Sequence, residues 1–109
     1  MGTIENLLAL LERGQDTALL RYGLGNAYLK AGDWERASEH LARAVALEPG
    51  YSAAWKLFGR ALSQGRLWAQ AIEVLGRGIE VAEGKGDVQA AKEMRVFLKR
   101  AKAAGAGQT

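Results

Sequence analysis

Two cations four residues apart, Lys56 and Arg60, and a tyrosine and an amide at the same spacing, Tyr22 and Asn26, are the side chains of this 109-residue chain best suited to chemistry. On a helix, a spacing of three or four places residues on one face, so Lys56, Arg60 and Ser63 form one row and Tyr22, Asn26 and Leu29 another. Such rows offer recognition. A guanidinium grips a carboxylate through two parallel hydrogen bonds, an ammonium adds a point charge, and an amide can fix a peptide backbone. Bond-making chemistry has no comparable constellation. His40 is the only histidine and stands beside Glu39 and Arg43, which reads as an exposed helix face and not as a general base. No His/Asp/Glu cluster has metal spacing, no serine sits in a nucleophile elbow, and no glycine run forms a phosphate-cradling loop. The acid pairs Glu80/Glu83 and Glu35/Glu39 are ordinary neighbours on a solvated helix face. The expectation is a protein that is not an enzyme and uses no metal, cofactor or small-molecule substrate.

Composition narrows the class. With 49% apolar and 25% charged residues, the chain belongs among globular proteins and not disordered ones. The absence of cysteine excludes disulfides and thiolate metal sites, so packing alone must hold the fold, and the redox compartment stays open. No apolar run approaches the roughly 20 residues of a membrane span, and no secretory signal is visible. A cytoplasmic location without membrane contact is expected. The net charge of +3 is uneven: residues 85–109 hold six Lys/Arg against Asp87 and Glu93, which is +4, leaving −1 for residues 1–84. Cations near a helix C-terminus complement its dipole on a solvated face. A nucleic-acid contact is the rival reading, but no aromatic platform is interleaved with these charges.

The rows need helices to carry them, and periodicity supplies six. Ile4, Leu7, Leu8, Leu10 and Leu11 recur at helical spacing between a Thr3 cap and Gly14. Asp16 is the expected N-cap of a helix from about Thr17 to Ala31 that closes on Gly32. Asp33 caps a third helix through Leu47, which Glu48-Pro49-Gly50 stops. Ser52 caps a fourth that reaches Gln64, with Gly65 as its stop, and Leu67 to Ala82 make the fifth. Asp87 caps the sixth, whose apolar stripe is Val88, Ala91, Met94, Phe97 or Leu98, and Ala101. Residues 104–109 are expected to form a flexible tail. Alternating β-branched runs are missing, so a sheet is not expected.

Much of the chain occurs twice. Advancing by 34 positions carries Leu24 to Phe58, Gly25 to Gly59, Trp34 to Trp68, Ala37 to Ala71 and Leu41 to Leu75. A period in the thirties with helical spacing marks a stacked repeat array. Glycine inside a helix costs about 0.5–1 kcal/mol relative to alanine, so its return at one repeat position implies a close helix crossing. Ala37 and Ala71 are the expected small residues across that crossing. The large side chains around it are worth roughly 1.5–3 kcal/mol each when buried, which outweighs the glycine cost.

Residues 18–51 supply Leu24, Gly25, Tyr28, Ala37, Leu41, Ala44 and Pro49; residues 52–85 supply Trp55, Phe58, Gly59, Leu62, Ala71, Leu75 and Gly78. In these positions the chain resembles the tetratricopeptide repeat family, a helix-turn-helix unit patterned W-x-x-L-G-x-x-Y, then A, F and A, then P. It departs from the pattern at Arg21, Leu62, Gly78 and Glu83. The resemblance implies a single all-α domain over residues 1–109, an α-α superhelix of about six helices in antiparallel helix-turn-helix repeats. Residues 4–14 would be a half-repeat, 18–51 and 52–85 full repeats, and 87–103 a capping helix. That cap would turn Gln89, Lys92, Glu93, Arg95, Lys99 and Arg100 outward and put Glu93 at the position of Gly25.

The same resemblance implies a functional face. Stacked hairpins of this family line a concave groove with their first helices, which assigns Leu19, Tyr22, Asn26 and Leu29, then Ala53, Lys56, Arg60 and Ser63 to the groove. For Leu19 and Leu29 the simpler reading is that they pack beneath the first helix. The implied function is a non-catalytic protein-interaction module or scaffold. Its partner would be a protein or peptide with an acidic side chain or C-terminal carboxylate against Lys56 and Arg60, an apolar side chain near Tyr22, and backbone on Asn26. Some family members clamp the C-terminal carboxylate of chaperones. This chain keeps Asn26 but has Tyr22, Leu57, Asp87 and Ala91 at other clamp positions, which argues against that design. Self-association, or assembly as a segment of a larger array, stays open as an alternative, and nucleic-acid binding through the last helix is the weaker rival.

Overall fold

The computed structural model describes residues 2–107, and every regular element among them is a helix. These are α1 (Thr3–Glu12), α2 (Ala18–Lys30), α3 (Trp34–Leu47), α4 (Ser52–Gln64), α5 (Trp68–Gly84) and α6 (Val88–Ala106). The six helices and the repeat pairing agree with the expectation. Several ends do not. Thr3 lies inside α1, whose N-cap is Gly2 without a side-chain bond. Thr17, not Asp16, caps α2, its hydroxyl accepting from the Leu20 amide at 3.1 Å. Ser52 is the first residue of α4 instead of its cap, and its hydroxyl donates to the Asp87 carboxylate at 2.8 Å. Helix α5 runs to Gly84 and α6 to Ala106, so the expected flexible tail is helical as far as that residue; residues 108–109 lie outside the described residues.

Four helices end in one way. After α1, α2, α4 and α5, a residue with positive φ (Gly14, Gly32, Arg66, Gly86) turns the chain. The amide that follows it returns to a carbonyl five residues back: Gln15 to Leu10, Asp33 to Tyr28, Leu67 to Leu62 and Asp87 to Ala82, at 2.8–3.2 Å. This double-bonded ending satisfies the last carbonyls and reverses the chain in three residues. Only Arg66 does so with a side chain, at φ +60°.

The hairpins close as tightly as the glycines predicted, against a different neighbour. A Cβ built on Gly25 would overlap the Leu41 side chain, and one on Gly59 would overlap Leu75. The residue across each crossing is therefore a leucine, while Ala37 and Ala71 are buried beside it. Leu24, Leu41, Leu75 and Met94 are the largest side chains with essentially no exposure. The Trp34 indole lies over Gly65 at the C-terminal end of α4, and the Cβ of Trp68 approaches Gly105 of α6.

Curvature follows from which helices touch. The first helices α2, α4 and α6 contact one another in turn, while α3 and α5 meet only through their neighbours. The array is shorter on the α2–α4–α6 side, which makes that side concave. On the other side a cleft of about 520 Å³ opens between α3 and α5, lined by Val45, Pro49, Trp55, Arg77 and Val81.

Helix α6 sits three residues out of the expected register. Helix α5 has 17 residues where α3 has 14, so each α4 position recurs in α6 after 37 residues: Lys56 to Glu93, Arg60 to Phe97, Ser63 to Arg100. The matching burial of Ala54 with Ala91 and of Leu57 with Met94 confirms this register. Glu93 therefore faces α4 and not outward, and Val96 takes the place of Gly25 and Gly59. Where α4 turns Trp55, Phe58, Gly59 and Leu62 toward α5, α6 turns Lys92, Arg95, Val96 and Lys99 to solvent. Val88, expected in the apolar stripe, is 72% exposed, and Ala90 is buried instead.

Candidate functional site

The concave face is built from the outward rows of α2, α4 and α6, and its two ends differ. Near the helix N-termini, Tyr22 of α2 stacks on Tyr51 with ring centroids 5.0 Å apart. Burial raises the Tyr51 phenol above its ordinary value, with Tyr22 adding to the effect. Beside them Asp87 caps α6 through the Ala90 amide at 3.2 Å while it accepts the Ser52 hydroxyl. Those hydrogen bonds, Ser52's first, hold its carboxyl below the usual range. These contacts tie the α4 and α6 N-termini together.

Midway along the face, Lys56 reaches Glu93 of α6, with 3.4 Å to each carboxylate oxygen. Further on, the Arg60 guanidinium lies 5.6 Å from the centroid of Phe97, a cation–π contact worth about 0.5–1 kcal/mol at such a site. Beyond that contact lies a pocket of about 380 Å³ between α4 and α6, walled by Arg60, Ser63, Arg100 and Gln64 and floored by Phe97 and Trp68. Neither Arg60 nor Arg100 makes a salt bridge among the described residues, and no carboxylate lines the pocket.

Of the residues expected to form the groove, Lys56, Arg60 and Ser63 share this seam and Tyr22 lies at its N-terminal end. Asn26 stands apart, in a cleft of about 480 Å³ between α1 and α2 with Gly23, Lys30, Ile4 and Leu7. Leu29 is a correction: it is buried, in one core cluster with Ala37, Leu41 and Leu57. Leu19 does the opposite and is 72% exposed, while its neighbour Leu20 is buried. Three groove residues, Glu93, Phe97 and Arg100, were hidden by the register shift. The uninterrupted run Val81-Ala82-Glu83 before Gly84, with no proline like the Pro49 that follows α3, was the available sign that α5 is longer.

His40 is not an exposed surface residue. Its ring stacks on Tyr28 at 5.5 Å, and its Nδ1 accepts from Arg21 at 3.0 Å. Arg21 also holds Asp16 through two bonds of 2.7 and 3.1 Å, and Arg43 approaches the same carboxylate at 3.5 Å. The Arg21 hydrogen bond keeps the Asp16 carboxyl below its ordinary range, while burial first and the Arg21 charge second lower His40. A guanidinium only donates, so the His40 proton sits on Nε2. Among the described residues no three His, Cys, Asp or Glu side chains gather as metal ligands. Nor is any helix there long and apolar enough to cross a membrane.

Stacked antiparallel hairpins, a glycine under a leucine at each crossing and a concave face of first helices define a helical repeat scaffold. Known proteins agree. Residues 28–94 match one tetratricopeptide repeat profile and residues 4–37 another. The chain is 50% identical over 97 residues to the TPR repeat-containing protein PA0015 of Pseudomonas aeruginosa, covering 89% of this chain and 92% of that one. It belongs to the tetratricopeptide repeat family, whose domains serve as protein-interaction modules, generally non-catalytic. The solution structure of protein BPP2914 from Bordetella parapertussis is similar at 36% identity and a TM-score of 0.81, over 94% of this chain and 90% of that chain. The Sgt2 TPR domain of Aspergillus fumigatus is similar at 27% identity and a TM-score of 0.79, over 92% of this chain and 64% of that one.

Proposed function

We propose that this protein is a non-catalytic scaffold that binds a carboxylate-bearing peptide segment across its concave face. The observation that carries the reading is the pair Arg60 and Arg100, two guanidiniums without an acid partner among the described residues, on either side of a pocket floored by Phe97 and Trp68. An acidic side chain or a C-terminal carboxylate meets the two guanidiniums, and an apolar neighbour fills the floor. Ser63 and Gln64 offer hydrogen bonds to the backbone between them. Tyr22, stacked on Tyr51, offers an aromatic surface for an apolar residue further along the segment.

Fluorescence anisotropy of a fluorescein-labelled hexaglutamate peptide tests this. Charge-assisted hydrogen bonds are worth roughly 1.5–3 kcal/mol each, so Arg60→Ala combined with Arg100→Ala should weaken binding at least about tenfold. Unchanged affinity in that double variant removes the pocket from the binding face.

A further inference from the structure

The Lys56–Glu93 pair gives the concave face an internal carboxylate of its own. At 3.4 Å to both oxygens it is looser than a charge-assisted hydrogen bond of about 2.7–2.9 Å. Its two side chains are 23% and 39% exposed, so the charges are only partly screened. Along the α4–α6 seam the middle is thus neutral, and the end that carries Arg60 and Arg100 is cationic. A ligand carboxylate at Lys56 must displace Glu93 and then lie beside an unpaired acid. At Arg60 it displaces nothing.

We propose that Glu93 is the specificity-determining residue of the groove: by occupying Lys56 it confines the carboxylate of a bound acidic segment to the Arg60–Arg100 end and disfavours segments with acids opposite Lys56. This rests on the peptide-binding reading above. The partner it selects has its acidic side chains at one end of the bound segment, followed by uncharged residues toward Tyr22. A purely structural pair would instead affect folding stability and leave ligand choice alone.

A double-mutant cycle with the labelled hexaglutamate probe at low ionic strength separates these. Glu93→Gln frees Lys56 and should tighten binding about fivefold, the equivalent of one partly exposed ion pair. In the Lys56→Met background the same substitution still removes one repelling charge but frees no ammonium, so the tightening should be clearly smaller, about twofold. Thermal unfolding of each variant confirms that it is folded. No tightening in Glu93→Gln, or equal tightening with and without Lys56, overturns the proposal; so does failure of Glu93→Gln to bind the probe at all. Loss of binding on removing Arg60 and Arg100 with a flat cycle discards only the role of Glu93. A clear cycle with no arginine dependence overturns the confinement to the Arg60–Arg100 end and leaves only the blocking of Lys56 by Glu93.

Discussion

At one position of their first helices the two repeats solve the same packing problem by opposite means. The second uses Trp55, which is 7% exposed, donates its indole N–H to the Pro49 carbonyl at 2.8 Å and carries Arg77 over its ring. The first uses Arg21, which binds Asp16 ahead of α2 and His40 of α3. Tryptophan contributes buried area, which depends little on pH or salt. Arginine contributes a network of directional bonds that ties the α1–α2 link to α3 but depends on the protonation of two partners. One backbone spacing therefore accepts a hydrophobic wedge or a polar clasp, and the repeats should differ in what weakens them.

The largest contrast is expected on truncation. Trp55→Ala should cost about 3–5 kcal/mol in urea unfolding, as for other buried aromatics, whereas Arg21→Ala should cost about 1–2 kcal/mol because its partners can turn to water. Equal losses would mean that the clasp packs as firmly as the wedge. At the hairpin turns the contrast reverses in sign. Arg66→Gly relieves a left-handed residue and should stabilise by roughly 1 kcal/mol, while Gly32→Ala introduces the strain in the other repeat and should cost a similar amount. If Arg66→Gly destabilises, its side chain has a role beyond the turn. The smallest effect is that of pH. His40 is lowered in the fold, so the unfolded chain binds its proton more readily, and stability should decline as pH falls below about 6.5 toward the folded value. His40→Gln keeps an acceptor for Arg21 without titrating. The stability difference between wild type and this variant should therefore shift against wild type between about pH 7.5 and pH 5. A difference that stays flat would show that Arg21 does not depend on the ring.

What could be read from the chain alone was whatever one helix and its nearest turn decide. Asp33 and Asp87 announced caps because each acts on backbone three residues away, and Gly25 and Gly59 announced a close crossing only because a helical glycine returned at one repeat position, without naming the leucine 16 residues on. Asp16 looked like a cap by the same rule, but Arg21 and Arg43 draw its carboxylate away and Thr17 takes the amide. Ser52, Glu93 and His40 failed for the same reason: their partners are 35, 37 and 19 residues distant. The groove was legible as a face and not as a pocket. A pocket needs the register between α4 and α6, and three additional residues in α5 moved it.

Val96 carries a consequence for growth. Gly25 and Gly59 let a leucine from the following helix settle onto bare backbone, and even one methyl group there would collide with it. Val96 presents a branched side chain at the matching place, with Lys92, Arg95 and Lys99 around it, and is 47% exposed. A further helix offered to this surface would meet a doorstop set among like charges. No helix could settle onto α6 as α3 settles onto α2 and α5 onto α4, because the bare backbone those crossings need is covered there by a branched side chain.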